Sequence, residues 1–308
     1  MPFSSRQLKG KIRTIGNIKQ ITKAMQMVSA TKMRRSQEVA LRARPFAKEA
    51  LSLLRNLVRH EEVLEQESIY FREPSNKKTC LIVVTSDKGL CGSFNSQITR
   101  MAFQWLLGND NVDIVAVGRK GRDFFKARGI APVAEFLLFS DIVSLHDVAP
   151  LSEWVLKAFE KGRYTRIVIV STQFFSALLQ KPNIRQLLPL DMKELKDAVE
   201  NIAPKTGKYA DWNSKENEKE ELPHLLEPSP EAITQSLVRD LLRVQILHYI
   251  FESNASEHSA RMVAMKNATE NATSLEDELQ LALNKARQAA ITQELTEIST
   301  AKEALSNE

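Results

Sequence analysis

The segment "VVTSDKGLCGSFNS", Val83 to Ser96, sets a thiol between two glycines directly after an apolar run. Those residue types permit two kinds of chemistry. A cysteine on a tight turn can act as a nucleophile, and a glycine-rich turn that opens a helix can hold a phosphate on free backbone N–H groups. Neither spacing is met. The run Gly89, Leu90, Cys91, Gly92 fits neither GxGxxG nor GxxxxGK[ST], and "GRKGRDF" at Gly118 has the wrong order as well. Gly92 follows Cys91 directly, so the G-x-C-x-G elbow is absent. The histidines, His60, His146, His224, His248 and His258, form no HExxH and lie at no ligand spacing from a cysteine. The loop therefore reads as structural: Asp87, Gly89 and Gly92 make a turn around Cys91, and Ser93 or Asn95 caps the helix that follows. No catalytic residue, metal or cofactor is expected.

The elements that carry this loop show in the composition. Gly and Pro number 10 and 11 in 308 residues, and aromatic residues make up 6%, a balance that favours long helices over one large core. Cys80 and Cys91 are the only cysteines, too few for a disulfide framework, and they fit a reducing compartment. No stretch of 18 apolar residues occurs, and "MPFSSRQLKGKIRTIGN" lacks the apolar centre of a secretory signal. The chain is expected in the cytoplasm. The net charge of +5 conceals an asymmetry, because Met1 to His60 holds fourteen Lys and Arg against Glu38 and Glu49 alone. That end should meet an acidic partner.

From Phe3 to Arg44 there is no proline, and Leu8, Ile12, Ile15, Ile18, Ile21, Met25 and Val28 recur at helical spacing. Pro45 marks the expected site of a kink, after which the pattern resumes to residue 60. Met25, Met27 and Met33 read as packing side chains. From Glu231 to Glu308 there is neither Gly nor Pro, and a second stripe runs through Leu237, Leu241, Val244, Phe251, Ala255, Met262, Met265, Ala272, Leu275, Leu279, Leu283 and Ala286. Ser229 and Pro230 supply its start. Helices of this length reach on the order of 85 to 110 Å, beyond any small domain, so each needs a partner outside a globular body. The expectation is an antiparallel coiled coil of residues 1–60 with residues 229–308, whose seam is weakened by Lys19, Thr22 and Lys32.

Between them, residues 61–228 follow another grammar. The β-branched runs "CLIVVTS", "VDIVAVG" and "RIVIVST" alternate with helical patterns at Asn95 to Leu107, Arg119 to Arg128 and Leu151 to Lys161. This predicts an inserted Rossmann-like α/β domain with a parallel sheet, the fold class being α plus α/β. Residues 204–223 turn hydrophilic and read as an exposed charged insertion.

Four blocks are specific enough to carry a family likeness: "KIRTIGNIKQITKAMQMVSATKMRRSQ" from Lys11, "VVTSDKGLCGSFN" from Val83, "EPSPEAI" from Glu227, and "SEHSARMVAMKNATENATSLEDELQLALNKARQAAITQELTEI" from Ser256. Together they resemble the γ subunits of F-type ATP synthases. The resemblance implies a rotor shaft whose terminal helices pass through a ring of three α and three β subunits, with the α/β domain and the ε subunit on the membrane-embedded c-ring. Proton flow would turn the shaft, and ATP would form on the β subunits. It also implies contact or coupling roles for Lys23, Met25, Arg34 and Arg35 in the first helix and for Glu257, Arg261, Gln288, Thr292 and Glu294 in the last. Met25 would lie near an acidic lever of a β subunit, while Arg261 and the C-terminal polar set would touch the ring.

Two departures stand out. The stretch "STAKEAL", Ser299 to Leu305, puts Ala301 where the family usually has glycine, and the 204–223 insertion lacks the paired cysteines of the chloroplast redox switch. The absence of a transit peptide points to a bacterial subunit on the cytoplasmic face of the inner membrane, held there through the complex. Two other readings compete. One is a basic coiled-coil tether for nucleic acid, which no aromatic stacking platform supports; the other is an enzyme with its ligand at the carboxyl ends of the α/β strands.

Overall fold

Residues 79–84 are apolar on both alternating faces, the mark of a strand covered above and below. In the computed structural model this strand is the centre of a five-stranded sheet. The structure describes residues 5–60, 69–71, 78–137, 143–190 and 230–306, leaving aside the side chains of 39–60, 145, 230–232, 234 and 303–306. The strands are β1 (Thr79–Val84), β2 (Val112–Val117), β3 (Ala134–Phe136), β4 (Arg166–Phe174) and β5 (Gln180–Leu188). Their order is β3-β2-β1-β4-β5, with β1 to β4 parallel and β5 antiparallel to β4. Register is fixed by apolar pairs, Leu81 lying beside Ile114 and Val168, and Ile82 beside Val115 and Ile169.

The expected all-parallel sheet is thus corrected at its edge. Strand β5 escapes a sequence reading because Gln180, Lys181, Asn183, Arg185 and Gln186 dilute its apolar residues and Pro182 interrupts them. An edge strand tolerates both, since one side needs no hydrogen-bond partner. The three residues of β3 are too short to give a periodic signal.

Among the described residues three shorter helices join the strands: α2 (Phe94–Leu107), α3 (Arg119–Lys126) and α4 (Leu145–Glu160). Helix α4 begins six residues before the expected Leu151 and carries Pro150 within it. Its start is a capping box: Asp147 N donates to Ser144 Oγ at 3.3 Å and Ser144 N donates to Asp147 Oδ2 at 2.8 Å.

The two long helices are α1 (Ser5–His60), which runs on through Pro45, and α5 (Pro230–Ser306). The chain divides into two compact units, one of Met1–Val28 with Met262–Glu308 and one of Ser29–Arg261. In the second unit the sheet separates two cores. Cys80, Ile82 and Val84 face Val148, Leu151, Val155 and Phe159 of α4 and Val238 to Phe251 of α5. Leu81 and Val83 face Phe94, Ile98 and Ala102 of α2 and Phe125 of α3.

In the first unit the helical segments run antiparallel. Lys19 Nζ meets Glu276 Oε2 at 3.0 Å and Thr22 Oγ1 bonds Thr269 Oγ1 at 2.8 Å. The expected apolar stripe is corrected here. Ile18, Ile21 and Val28 of α1 and Leu275 of α5 are exposed, while Leu8, Thr22, Met265, Ala272 and Leu283 are buried. Ile18 and Ile21 follow Ile15 in steps of three, which carries them around the helix away from positions that repeat every 3.5 residues.

Gly118 closes β2 with φ +91°, and a Cβ there would lie 2.1 Å from the Thr85 carbonyl oxygen. Gly118→Ala should therefore destabilise the α/β unit by about 3 kcal/mol or more, from strain and overlap together. Gly129, at φ +76° with open space around its Cβ position, is the control. Gly129→Ala should cost only about 1–2 kcal/mol, both measured by urea denaturation.

Candidate functional site

The chain leaves β1 through Thr85, Ser86 and Asp87, and all three serve the start of α3. Asp87 Oδ1 accepts from Arg119 N at 2.9 Å, the Ser86 carbonyl accepts from Lys120 N at 3.1 Å, and Thr85 Oγ1 accepts from Gly121 N at 2.8 Å. Gly118 has no side chain to cap that helix, so the neighbouring loop satisfies its free donors. These are the groups that would otherwise attract a phosphate.

The rest of the loop folds on itself. Ser86 N donates to Asn95 Oδ1 at 3.0 Å, Asn95 Nδ2 donates to Cys91 Sγ at 3.1 Å, and Ser86 Oγ donates to the Lys88 carbonyl at 2.6 Å. Two expectations change. Ser93 is the N-cap of α2 but makes no side-chain cap, and Asn95 turns back to the loop. Gly92 takes the left-handed conformation at φ +58°, but its partner in the turn is Leu90 at φ +62°, not Gly89.

From the other side α5 closes over this loop. Arg261 Nε donates to the Gly89 carbonyl at 3.2 Å, and its Nη2 reaches the Gly89 and Lys88 carbonyls at 3.2 and 3.3 Å. Nη2 also meets Glu257 Oε1 at 2.6 Å, and Nη1 lies 3.3 Å from His258 Nδ1. About half a turn away, Ser259 Oγ donates to the Ala177 carbonyl at 2.6 Å and accepts from Gln180 Nε2 at 3.3 Å. Gly89 follows β1 and Ala177 follows β4. The crevice where strand order reverses, the ligand site of open α/β sheets, is filled by this helix.

The arrangement offers no reactive group. Burial, the main cause, pushes the Cys91 thiol up, and a second buried thiol, Cys80, is pushed up further. No cluster of metal-binding side chains exists among the described residues. The structure joins the loop residues Asp87, Gly89, Cys91 and Gly92, expected to be structural, with Glu257 and Arg261 of the expected contact set. Lys23, Arg34 and Arg35 are exposed on α1 and Met25 is half-buried. Gln288, Thr292 and Glu294 are exposed on α5, where Thr292 Oγ1 donates only to the Gln288 carbonyl of its own helix at 3.0 Å. Sequence reasoning missed Ser259, Gln180 and the capping role of Asp87. The small residues Ser253, Ser256 and Ser259, spaced by threes and all buried, were a visible signal that this face of α5 is closely enclosed.

The fold and this loop define a class of protein in which an α/β body grips a long helix in place of a ligand. A family model described as ATP synthase matches residues 4–305. The ATP synthase gamma chain of Chloroflexus aurantiacus is 36% identical over 310 residues, 99% of each chain. That of Heliobacterium modesticaldum is 38% identical over 294 residues, 95% of this chain and 96% of the relative. This chain belongs to the ATP synthase gamma chain family. Among solved structures, a chain of the Euglena gracilis mitochondrial ATP synthase aligns with TM-score 0.61 at 20% identity, covering 98% of this chain and 94% of that one. A chain of the Tetrahymena thermophila mitochondrial ATP synthase central stalk and c-ring aligns with TM-score 0.59 at 23% identity, covering 80% and 99%. Both share the fold.

Deeper in the α/β unit, α5 buries His248 and Glu252, with Nε2 and Oε2 3.6 Å apart. Burial pushes the Glu252 carboxyl up to about 8, against the opposing pull of the Arg185 charge and the Phe174 N–H; burial, aided by Arg185, pushes the His248 imidazole down to about 4. Glu252 thus contributes stability that is complete below its ordinary value of 4.5 and is lost as pH rises through about 8. His248 contributes stability that is complete above 6.5 and is lost as pH falls through about 4. The slopes oppose one another between 4.5 and 6.5, and above 6.5 Glu252 acts alone. Urea denaturation across this range should show stability falling from pH 6.5 to 8 in the parent chain, and clearly less in Glu252→Gln.

Proposed function

We propose that this chain is the central rotor shaft of an F-type ATP synthase, coupling ion flow across a membrane to ATP synthesis and hydrolysis. The observation that carries this reading is membership of the gamma chain family along residues 4–305. The chain has no catalytic role of its own and is a non-catalytic subunit of a proton-transporting ATPase, the chemistry belonging to the β subunits. Its partners are the ring of three α and three β subunits, the ε subunit and the c-ring. Among the described residues no helix is long and apolar enough to cross a membrane, in keeping with a peripheral subunit held at the cytoplasmic face of a bacterial membrane by those partners.

The paired ends form an antiparallel coiled coil. Leu8, Ile15 and Thr22 on α1, and Met265, Ala272 and Leu279 on α5, each recur every seven residues and are buried or half-buried. The polar pairs Lys19–Glu276 and Thr22–Thr269 weaken this seam but fix its register, since a slip would leave half-buried polar groups unpaired. The exposed Lys23, Arg34 and Arg35 then face acidic levers of the β subunits, where attraction within a Debye length of about 8 Å guides approach. Nothing in the family match supports the nucleic-acid tether.

The direct test is co-purification. A tagged chain expressed with its own α and β subunits should bring both down in a complex that hydrolyses ATP, and recovery of the chain alone would overturn the reading. Within that complex, Met25→Lys should lower the ratio of transported ions to hydrolysed ATP in reconstituted vesicles, because the added charge gives a lever carboxylate a partner that holds it. An unchanged ratio would remove Met25 from the coupling set.

A further inference from the structure

Most of the grip on α5 in the α/β unit is apolar, through Val238, Leu241, Leu242, Ile246, Leu247, Ile250 and Phe251. Apolar burial is strong but non-directional, and alone it does little to stop a helix turning about its own axis. The polar bonds at Ser259 and Arg261 are of another kind. Ser259 holds the Ala177 carbonyl, in the turn after β4, and Gln180 at the start of β5. Arg261 holds the Lys88 and Gly89 carbonyls in the loop after β1. At 3.6 residues per turn, positions two apart point about 200° from each other. The helix is therefore held on nearly opposite sides by loops that follow adjacent parallel strands. Rotation of α5 in either sense must break one set of bonds.

The Arg261 side also carries a strained residue. Leu90 adopts φ +62° and is 63% exposed, a left-handed conformation that is unfavourable for a residue with a Cβ. The carbonyls of the two residues before it are those that the guanidinium binds. Glu257 and His258 in turn hold the guanidinium, so its geometry is set from both sides.

We propose that Ser259 and Arg261 form a two-point latch that fixes the β1 and β4 loops to α5, and that through this latch torque passes between the α/β body and the long helix. The proposal rests on the rotor-shaft reading and deepens it. It gives Arg261 a positioning role inside the chain, in place of the ring contact that the family likeness implies, and it gives Ser259 and Gln180 a role in coupling.

The test uses the assembled ATP synthase in vesicles, comparing Ser259→Ala, Ser259→Thr, Arg261→Lys and the parent chain. Three quantities are read: ATP hydrolysis, ions transported per ATP, and amide hydrogen exchange in 88–92 and in 176–180. Arg261→Lys keeps the charge beside Glu257 but loses the fork on two carbonyls, and it should speed exchange in 88–92 alone. Ser259→Ala should speed exchange in 176–180 alone. Each change should be about five-fold, the factor given by one net hydrogen bond lost. Hydrolysis should continue while ions transported per ATP fall several-fold, and Ser259→Thr, which keeps the hydroxyl, should behave as the parent. Coupling lost with loop exchange unchanged would overturn the latch in favour of a direct partner contact. Loops released with coupling intact would overturn it as well. A parent chain that fails to assemble with the ring would instead sink the rotor-shaft reading on which the latch rests.

Discussion

The structure depends on the burial of one stretch of α5, Val238 to Arg261, within the α/β unit. A helix that ran along a surface would be amphipathic there, yet Leu241 to Phe251 are buried or nearly so all the way round, apart from Arg243. Enclosure of this kind makes the helix a core element of the sheet domain, as central as α4. It also explains why the domain has lost the ordinary use of its fold. The order β3-β2-β1-β4 builds a ligand crevice, and the same helix that completes the core runs on to occupy it. Even the donors at the start of α3 are taken up by Thr85, Ser86 and Asp87.

Where α1 and α5 pair, the balance shifts from stability toward definition. A seam of leucine and isoleucine would bind more tightly, but it would tolerate a slip by one heptad. Threonine against threonine and lysine against glutamate do not. The apolar residues that a tighter seam would have used, Ile18, Ile21 and Val28, are displayed outward instead, as are Ile291, Leu295 and Ile298 near the end of α5. Surface of this kind is what a shaft enclosed by other subunits requires, and it is unusual on a chain that works alone.

Much of this was legible in the residues. The helical stripes, the β-branched runs and the loop at Val83 placed the long helices and three of the five strands, because each obeys its own period. Strand β5 and helix α4 were harder, since Pro182 and Pro150 are stop signals that an edge strand and an early helical turn can absorb. The seam was legible in part: Lys19 and Thr22 were placed near it and do pair across it, but hydrophobicity put Ile18 and Ile21 there as well, and both are exposed. The loop's second allegiance was invisible, because Asp87 caps a helix 32 residues further on and Arg261 reaches back 172 residues to Gly89. No local pattern encodes contacts between segments that only the sheet brings together.

The two buried thiols carry a practical consequence. Cys80 lies inside the sheet and Cys91 inside its loop, both free and both held toward the protonated form by the apolar matter around them. Thiolate is the species that alkylating dyes and bead linkers attack, so the native cysteines are poor competitors for such labels at neutral pH. An attachment point for watching single molecules turn can thus be engineered on the exposed face of α5 without first stripping the natural sulfur from the chain.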